Sequence, residues 1–177
     1  MVTPVRSALA VFVIPFIASC AGGGGGYATA LDGYSISYRP DLEGVRYSFE
    51  SSADQVVETL PRVYQQLGFA GSLASSQDEI LFISPGLRAE GRIYEDEPNS
   101  EYLDCGQGTT GARADSYLLE FVLVTRVDVL ESGGSEIEVI VDGFAFDRYN
   151  RSDRVSCLGT GKFEGQIAAL LRRMLPR

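Results

Sequence analysis

Residues 117–142, with the sequence YLLEFVLVTRVDVLESGGSEIEVIVD, decide the fold of this chain. Every second position from Tyr117 to Val127 is apolar or threonine, and Glu120 and Arg126 mark the opposite face. After the turn cluster at 131–135, the alternation resumes with apolar residues at 137, 139 and 141. A period of two on both sides of a glycine turn predicts a hairpin of two long antiparallel strands.

Two amphipathic helices are expected outside this hairpin. Ser52 and Gln55 form a capping-box pattern, and Gly68 provides a stop signal. Between them, apolar residues recur at helical spacing (Val56, Leu60, Val63, Tyr64, Leu67). The second helix follows Gly159-Thr160-Gly161, with Thr160 as the expected cap, and carries its own apolar stripe (Phe163, Ile167, Leu170, Leu171, Met174).

Further short strands are predicted at residues 45–49, 79–84, 87–94 and 155–158. Runs of strands with helices at both ends predict an α+β fold in which one face of an antiparallel sheet packs against two helices. We therefore expect a single folded domain at residues 45–177.

Two cysteine-containing segments, residues 102–106 (YLDCG) and 157–164 (CLGTGKFE), resemble a pattern of small periplasmic lipoproteins. Some of these proteins are similar to the helix-grip domains of a lipoprotein in the outer-membrane β-barrel assembly machinery. The resemblance implies a curved sheet that wraps a long C-terminal helix, and it implies no catalytic residues.

The N-terminus predicts an exported lipoprotein. An apolar run of 11 residues at positions 8–18 follows a single cation at Arg6. This run is too short to span a bilayer, which needs about 20 residues, and it suits a signal peptide at positions 1–19. Its end, Ile17-Ala18-Ser19-Cys20, resembles the lipobox of bacterial lipoproteins, in which the cysteine is acylated. An ordinary secretory signal that is cleaved elsewhere is the alternative.

The residues after Cys20 predict a tether. Gly22 to Gly26 suit a flexible coil, and we expect residues 20–44 to be a poorly ordered lead-in to the domain. Several acyl chains on one cysteine would anchor the protein stably in the lipid bilayer. Ala21 stands where an aspartate would resemble an inner-membrane retention signal. We therefore expect an outer-membrane anchor, with the domain facing the periplasm.

Composition excludes several classes of function. Removal of the leader takes away one of 15 basic residues and none of 24 acidic ones, so the net charge changes from −9 to −10. A domain this acidic is not expected to bind nucleic acid. Because histidine is absent, Ser-His-Asp and Cys-His catalysis and histidine-ligated zinc are excluded as they are usually built.

With Cys20 assigned to lipidation, Cys105 and Cys157 remain as a pair in an exported protein. A structural disulfide is the favoured interpretation, and buried thiols or a redox-active pair are the alternatives. No Cys-x-x-Cys motif is present to support a redox role.

The acidic loop at residues 95–104 is the best candidate for a metal site, with five carboxylates (Glu95, Asp96, Glu97, Glu101, Asp104). It lacks the spacing of a calcium-binding loop, so a solvated acidic loop is favoured and no metal or cofactor is predicted. Phe144, Phe146 and Tyr149 are candidate partner anchors, although placement in the core is the favoured alternative.

Three functions are consistent with these patterns. The first is a membrane-anchored, non-catalytic binding or scaffolding module with a protein partner in the envelope. The second is a carrier or sensor of an apolar small molecule held between sheet and helix. The third is a hydrolase that uses acidic residues. The absence of usual catalytic groups favours the first, and the protein is not expected to be an enzyme.

Overall fold

The structure is a computed structural model that describes residues 26–30, 39, 41–76, 79–94, 96–150 and 153–176. Its strands are β1 (Gly26–Ala30), β2 (Val45–Phe49), β3 (Ser72–Ser76), β4 (Glu79–Ile83), β5 (Leu87–Tyr94), β6 (Leu103–Asp104), β7 (Gln107–Gly108), β8 (Gly111–Ala112), β9 (Leu118–Val129), β10 (Ser135–Phe146) and β11 (Arg154–Gly159). Its helices are α1 (Ala53–Gln66), the single-turn α2 (Arg113–Ser116) and α3 (Lys162–Met174), with a 3-10 turn at Asn99–Glu101.

Nine of these strands form one antiparallel sheet around the β9–β10 hairpin. The two long strands pair along their whole length, from Ser135 opposite Val129 to Phe146 opposite Leu118. The outer edge of β9 pairs with β4 and β5, and that of β10 pairs with β2 and β11. The hairpin that the sequence predicts at residues 117–142 is confirmed and forms the centre of the sheet.

A bulge separates β4 from β5, which otherwise follow the same edge of β9. Ile83 lies opposite Val124 and Leu87 lies opposite Phe121, so the register shifts by one residue between them. Ser84 bridges this irregularity: its backbone N–H donates to the Leu123 carbonyl, and the Leu123 N–H donates to Ser84 Oγ, both at 2.9 Å.

The hydrophobic core lies between the sheet and helices α1 and α3. Odd-numbered residues of β9 and β10 face the helices, and the apolar stripes of α1 and α3 pack against them. Aromatic rings fill much of this layer (Tyr64, Phe69, Phe82, Tyr94, Tyr102, Phe121, Phe163), with centroids as close as 4.6 Å for Tyr102 and Phe163. The α+β class, with an antiparallel sheet packed against two long helices, is confirmed.

The opposite face of the sheet carries a small apolar cluster between ion pairs. Leu81, Val122, Val124 and Ile140 form the cluster. Three buried carboxylates surround it, and each is paired with an arginine: Arg126 with Glu138 at 2.6 Å, Arg88 with Glu120 at 2.6 Å, and Arg39 with Asp142 at 2.7 Å. Removal of one partner would leave an uncompensated buried charge and would destabilise the fold.

The start of α1 is the one that the sequence predicts. Ser52 and Gln55 form a reciprocal capping box, and the helix continues through Pro61 to Gln66. At α3, however, the prediction that Thr160 is the cap is wrong. The N-cap residue is Gly161, which has φ of 96°, and the Thr160 hydroxyl donates to the Glu101 carbonyl at 2.5 Å.

The sheet begins before the predicted domain boundary at residue 45. Strand β1 pairs with β5, and Arg39 and Gly44 bond to carboxylates of β10. Residues 1–25, including the expected lipobox and Cys20, lie outside the described residues, so the leader and lipidation stay predictions. None of the described helices is long and apolar enough to cross a membrane.

Candidate functional site

The predicted disulfide between Cys105 and Cys157 is present and lies at one edge of the sheet. Cys105 directly follows β6, Cys157 lies within β11, and both cysteines are buried. The bridge ties the segment at residues 96–117 to the strand that leads into α3. Its burial indicates a structural role for the pair.

The acidic loop does not gather its carboxylates into a metal site. Asp104 accepts the Gly106 N–H at 2.9 Å, while Glu97 and Glu101 both approach the Lys162 ammonium, at 2.9 and 3.4 Å. Asp96 is exposed, and Glu95 lies outside the described residues. Across the residues that the structure describes, no three acidic or cysteine side chains are arranged to hold a metal ion.

Glu97, Tyr102 and Lys162 form a polar cluster beside a cleft of about 450 Å³. The Tyr102 hydroxyl donates to Glu97, and the Lys162 ammonium lies 4.8 Å from the centre of the Tyr102 ring. Hydrogen bonds from Tyr102 and, to a smaller extent, from Lys162 lower the pKa of Glu97. The hydrogen bond to Glu97 in turn raises the pKa of Lys162. Glu97, Tyr102 and Lys162 therefore satisfy one another. Oε1 of Gln166, which also lines the cleft, is buried and has no hydrogen-bond partner among the described residues.

A second feature is a notch in the sheet beside β10. Strand β2 pairs with β10 as far as Val139, and β11 pairs with it from Asp142. Among the described strands, none pairs with Ile140 and Val141 on this side of β10. The resulting notch encloses about 290 Å³. We call this space the β10 notch, defined by its lining residues (Asp41, Leu42, Glu43, Gly44, Val45, Val139, Ile140, Val141, Leu158, Gly159, Glu164).

Glu164 is the buried polar group of the β10 notch. It lies in the first turn of α3, and only 3% of its surface is exposed. No protein group in the described part of the chain donates a hydrogen bond to its Oε2 atom. Burial raises the pKa of the Glu164 carboxyl above its ordinary value, and hydrogen bonding from the backbone N–H groups of Glu164 and Gly161 opposes the rise.

Gly159 has no side chain, and this leaves space for the Glu164 carboxylate. A β-carbon at Gly159 would lie 1.9 Å from Oε1 of Glu164 and 3.0 Å from Cβ of Val141. Oε1 therefore packs against the β11 backbone, and Oε2 is the oxygen that lacks a protein donor. The Glu164 carboxylate is therefore buried with one oxygen that has no hydrogen-bond partner in the described part of the chain.

Apolar side chains at the mouth of the β10 notch reach the surface. Val45 is 39% exposed and Leu158 is 46% exposed, and Leu42 lies half-buried between the notch and the apolar cluster. Apolar walls around one placed polar group are the usual composition of a small-molecule or side-chain pocket. The β10 notch therefore combines exposed apolar side chains with one buried carboxylate.

Sequence reasoning placed Glu164 in α3 but missed its burial. The residue suits the positive end of the helix dipole, and that account does not require the side chain to be buried. The available signal was its spacing: Glu164, Ala168 and Leu171 recur at helical intervals on the face that packs into the core, where a carboxylate is rarely buried.

The three aromatic residues after the centre of β10 do not form one surface. Phe144 is half-buried, and its ring lies 4.4 Å from the Arg154 guanidinium and 5.7 Å from that of Arg39. Phe146 is buried, and Tyr149 is 93% exposed. The structure gives this set no common anchoring role.

The chain matches no protein-family model, and no curated protein or solved structure matches it either.

Proposed function

We propose that this chain is a lipoprotein of the bacterial envelope whose folded domain binds a partner without catalysing a reaction. Acylated Cys20 would hold it in the bilayer, in the outer membrane where there are two membranes, with the domain facing the periplasm. The segment Ile17-Ala18-Ser19-Cys20 and the glycine tract after it support the anchor. A disulfide between Cys105 and Cys157 suits the oxidising periplasm.

The observation that supports binding most directly is the β10 notch. It is a small surface pocket with exposed apolar walls and one buried carboxylate that keeps an oxygen without a protein donor. A small pocket of this kind suits one group of a partner molecule. The charge of the domain and its arginine-paired acids give no reason to expect a nucleic-acid partner.

The carrier alternative receives less support from the core. A ligand between sheet and helices would need a cavity there, and aromatic side chains occupy that layer around Phe121 and Phe163. The hydrolase alternative needs two carboxylates held at a fixed separation. Asp41 and Glu43, the other acids of the notch, are exposed residues of the lead-in before β2.

Site-specific crosslinking in intact cells tests this proposal. A photoreactive residue replaces Leu158 in β11 at the notch, and the matched control carries it at Tyr149, which is exposed on the loop between β10 and β11. We expect a discrete crosslinked species from position 158 that is absent from position 149 and is lost when Cys20→Ser releases the protein from the membrane. Equal labelling from both positions would contradict the proposal.

A further inference from the structure

We propose that the edge of β2 that faces away from β10 binds an extended segment of a partner protein, which adds a strand there and pairs a carboxylate with Arg172. We call this surface the β2 edge. The inference depends on neither the β10 notch nor the membrane anchor. Three observations carry it: the unpaired side of β2, the groove beside it, and the guanidinium of Arg172.

The β2 edge has no strand beside it in the described part of the chain. Strand β2 pairs with β10, from Val45 opposite Val139 to Phe49 opposite Ser135. Among the described strands, β10 is its only partner. An edge strand directs alternate backbone N–H and C=O groups away from its partner, and these groups are a template for pairing with another chain. The β2 edge therefore offers the main-chain contacts of strand addition.

A groove of about 340 Å³ lies at the Phe49 end of this edge, away from the β10 notch. It is formed by the end of β2, the turn before α1 and the end of α3 (Ser48, Phe49, Glu50, Ser51, Arg172, Leu175, Pro176). Tyr47 and Phe49 pack against the core between the sheet and the helices, so both point to the helix side of β2. The groove therefore lies on that side, between the strand and the end of α3.

Arg172 is placed to recognise a carboxylate in this groove. It is exposed in the last turn of α3, and its guanidinium carbon lies 5.5 Å from the centre of the Tyr47 ring and 5.6 Å from that of Phe49. Cation–π attraction to the two rings restrains its position. No carboxylate of the described residues forms an ion pair with it. Its planar set of donors therefore suits a carboxylate from outside the domain.

The geometry of an added strand defines the chemistry of the partner. Alternate side chains of that strand would face the helix side, next to the groove. One carboxylate can then reach Arg172, and an apolar side chain two positions away can contact Phe49 and Pro176. Glu50, the other charged residue of the groove, is exposed, so water and salt screen its charge.

The charge of the whole chain limits how acidic this partner should be. With a net charge of −9, the chain repels a strongly acidic segment at long range. A segment with a single carboxylate in register with Arg172 avoids most of this repulsion and keeps the local pair. We therefore expect an extended, mainly uncharged segment that carries one acidic residue.

Titration of the full-length protein in detergent with N-acetyl-Thr-Val-Thr-Glu-Thr-Val-amide, followed by amide NMR, tests this inference. The valines and the glutamate of this peptide share one face of an extended strand. We expect saturable shifts and slower amide hydrogen exchange in β2, because the added strand would protect its N–H groups. Strand β3 is the control edge: it pairs with β4 and carries the exposed Leu73, and its amides should not respond.

Two arginine variants test the carboxylate pair. Arg172→Ala should bind the peptide about fivefold more weakly, which is the upper range for an exposed charge pair. Arg173→Ala is the matched control, because Arg173 is exposed in the same turn and is not among the residues that line the groove. It should bind within about twofold of the wild type. An equal loss in both variants would reflect net charge alone and would overturn the inference.

Two further peptides keep the test decisive if Arg172→Ala folds poorly, since they leave the protein unchanged. The peptide with glutamine in place of glutamate should bind the wild type about fivefold more weakly. The peptide with proline in place of its central threonine lacks a backbone donor and should not protect the β2 amides. No saturable shift with the first peptide, or equal binding of all three, would overturn the inference.

A second copy of this chain is the competing occupant of the β2 edge. Protection of the β2 amides that rises with protein concentration, without any peptide, would assign the edge to self-association and would also overturn the inference. These measurements concern β2 and α3, whereas the crosslinking experiment probes Leu158 in β11. Failure here would therefore leave the anchored binding module standing.

Discussion

Gly159 and Glu164 determine each other's environment: a β-carbon on Gly159 would lie 1.9 Å from Oε1 of Glu164. The carboxylate can occupy its buried position only because the strand beside it carries no side chain there. The obstructing atom is the end of a flexible side chain, so an alanine at residue 159 should displace the carboxylate while the strand keeps its path.

This relationship predicts energetic coupling between the two positions. Gly159→Ala should destabilise the wild type, and it should cost less when Glu164→Ala has already removed the carboxylate. For residues in contact, we expect an interaction energy of at least about 0.5 kcal/mol in a double-mutant cycle. Urea unfolding of the four proteins measures it. Strict additivity would show that the two side-chain positions do not constrain each other.

Glu164 should make stability fall as pH rises. Its pKa is raised in the folded state by burial, so the folded protein binds the proton more tightly than the unfolded chain. The contribution of Glu164 to the free energy of unfolding is therefore fully present below the ordinary carboxyl pKa. It is lost as pH rises through the raised pKa of the folded state. Urea unfolding across this range should show that the wild type loses stability relative to Glu164→Gln.

Glu97 should show the opposite dependence and serves as the control. The Tyr102 hydroxyl and then Lys162 lower its pKa, so its contribution is present above the ordinary carboxyl pKa and is lost as pH falls through the lowered value. The wild type should therefore lose stability relative to Glu97→Gln on acidification. The same pH trend for both variants would contradict the opposite environments of the two carboxylates.

The disulfide should stabilise the fold substantially. Cys105 and Cys157 are 52 positions apart, and a loop of that size gives about 4 kcal/mol in the chain-entropy model. The double variant Cys105→Ser with Cys157→Ser should lower the free energy of unfolding by about this amount, as measured in urea. Cys20→Ser should leave it unchanged. A reductant that left the wild-type stability unaltered would argue against the bridge.

Asn99 holds the loop before β6 against β5. It is fully buried; its Oδ1 accepts the Ile93 N–H at 2.5 Å, and its Nδ2 donates to the carbonyls of Gly91 and Ala114 at 2.8 and 3.0 Å. Asn99→Ala would leave three backbone groups without this partner, so we expect a loss of about 2–4 kcal/mol. Thr110→Ala, at an exposed position of the following loop, should change stability by less than about 0.5 kcal/mol. Similar melting temperatures for the two variants would contradict this role.

The central part of the fold was predictable because its signals are local. The period of two in β9 and β10 reflects a sheet with two different faces, and the Ser52–Gln55 capping box marks the start of α1. Strand β3 has the sequence SLASS, whose small polar residues carry no such pattern. Its pairing with β4 depends on tertiary contacts that no local period reports.

The β10 notch was not predictable for a related reason. It arises because the pairing of β2 with β10 stops at Val139 and the pairing of β11 with β10 starts at Asp142, and both limits are set by contacts between distant segments. The acidic loop at residues 95–104 is a candidate metal site in the sequence only because its charges are close together there. In the fold, Glu97 and Glu101 instead pair with Lys162, which lies more than 60 positions from each of them in the sequence.

Mass spectrometry of the mature protein purified from cell membranes tests the central proposal most directly. The account predicts a chain that begins at Cys20 and carries fatty acyl groups on that residue, with Cys105 and Cys157 oxidised to each other. A mature chain that starts at another residue, or one in which Cys20 carries no lipid, would contradict it.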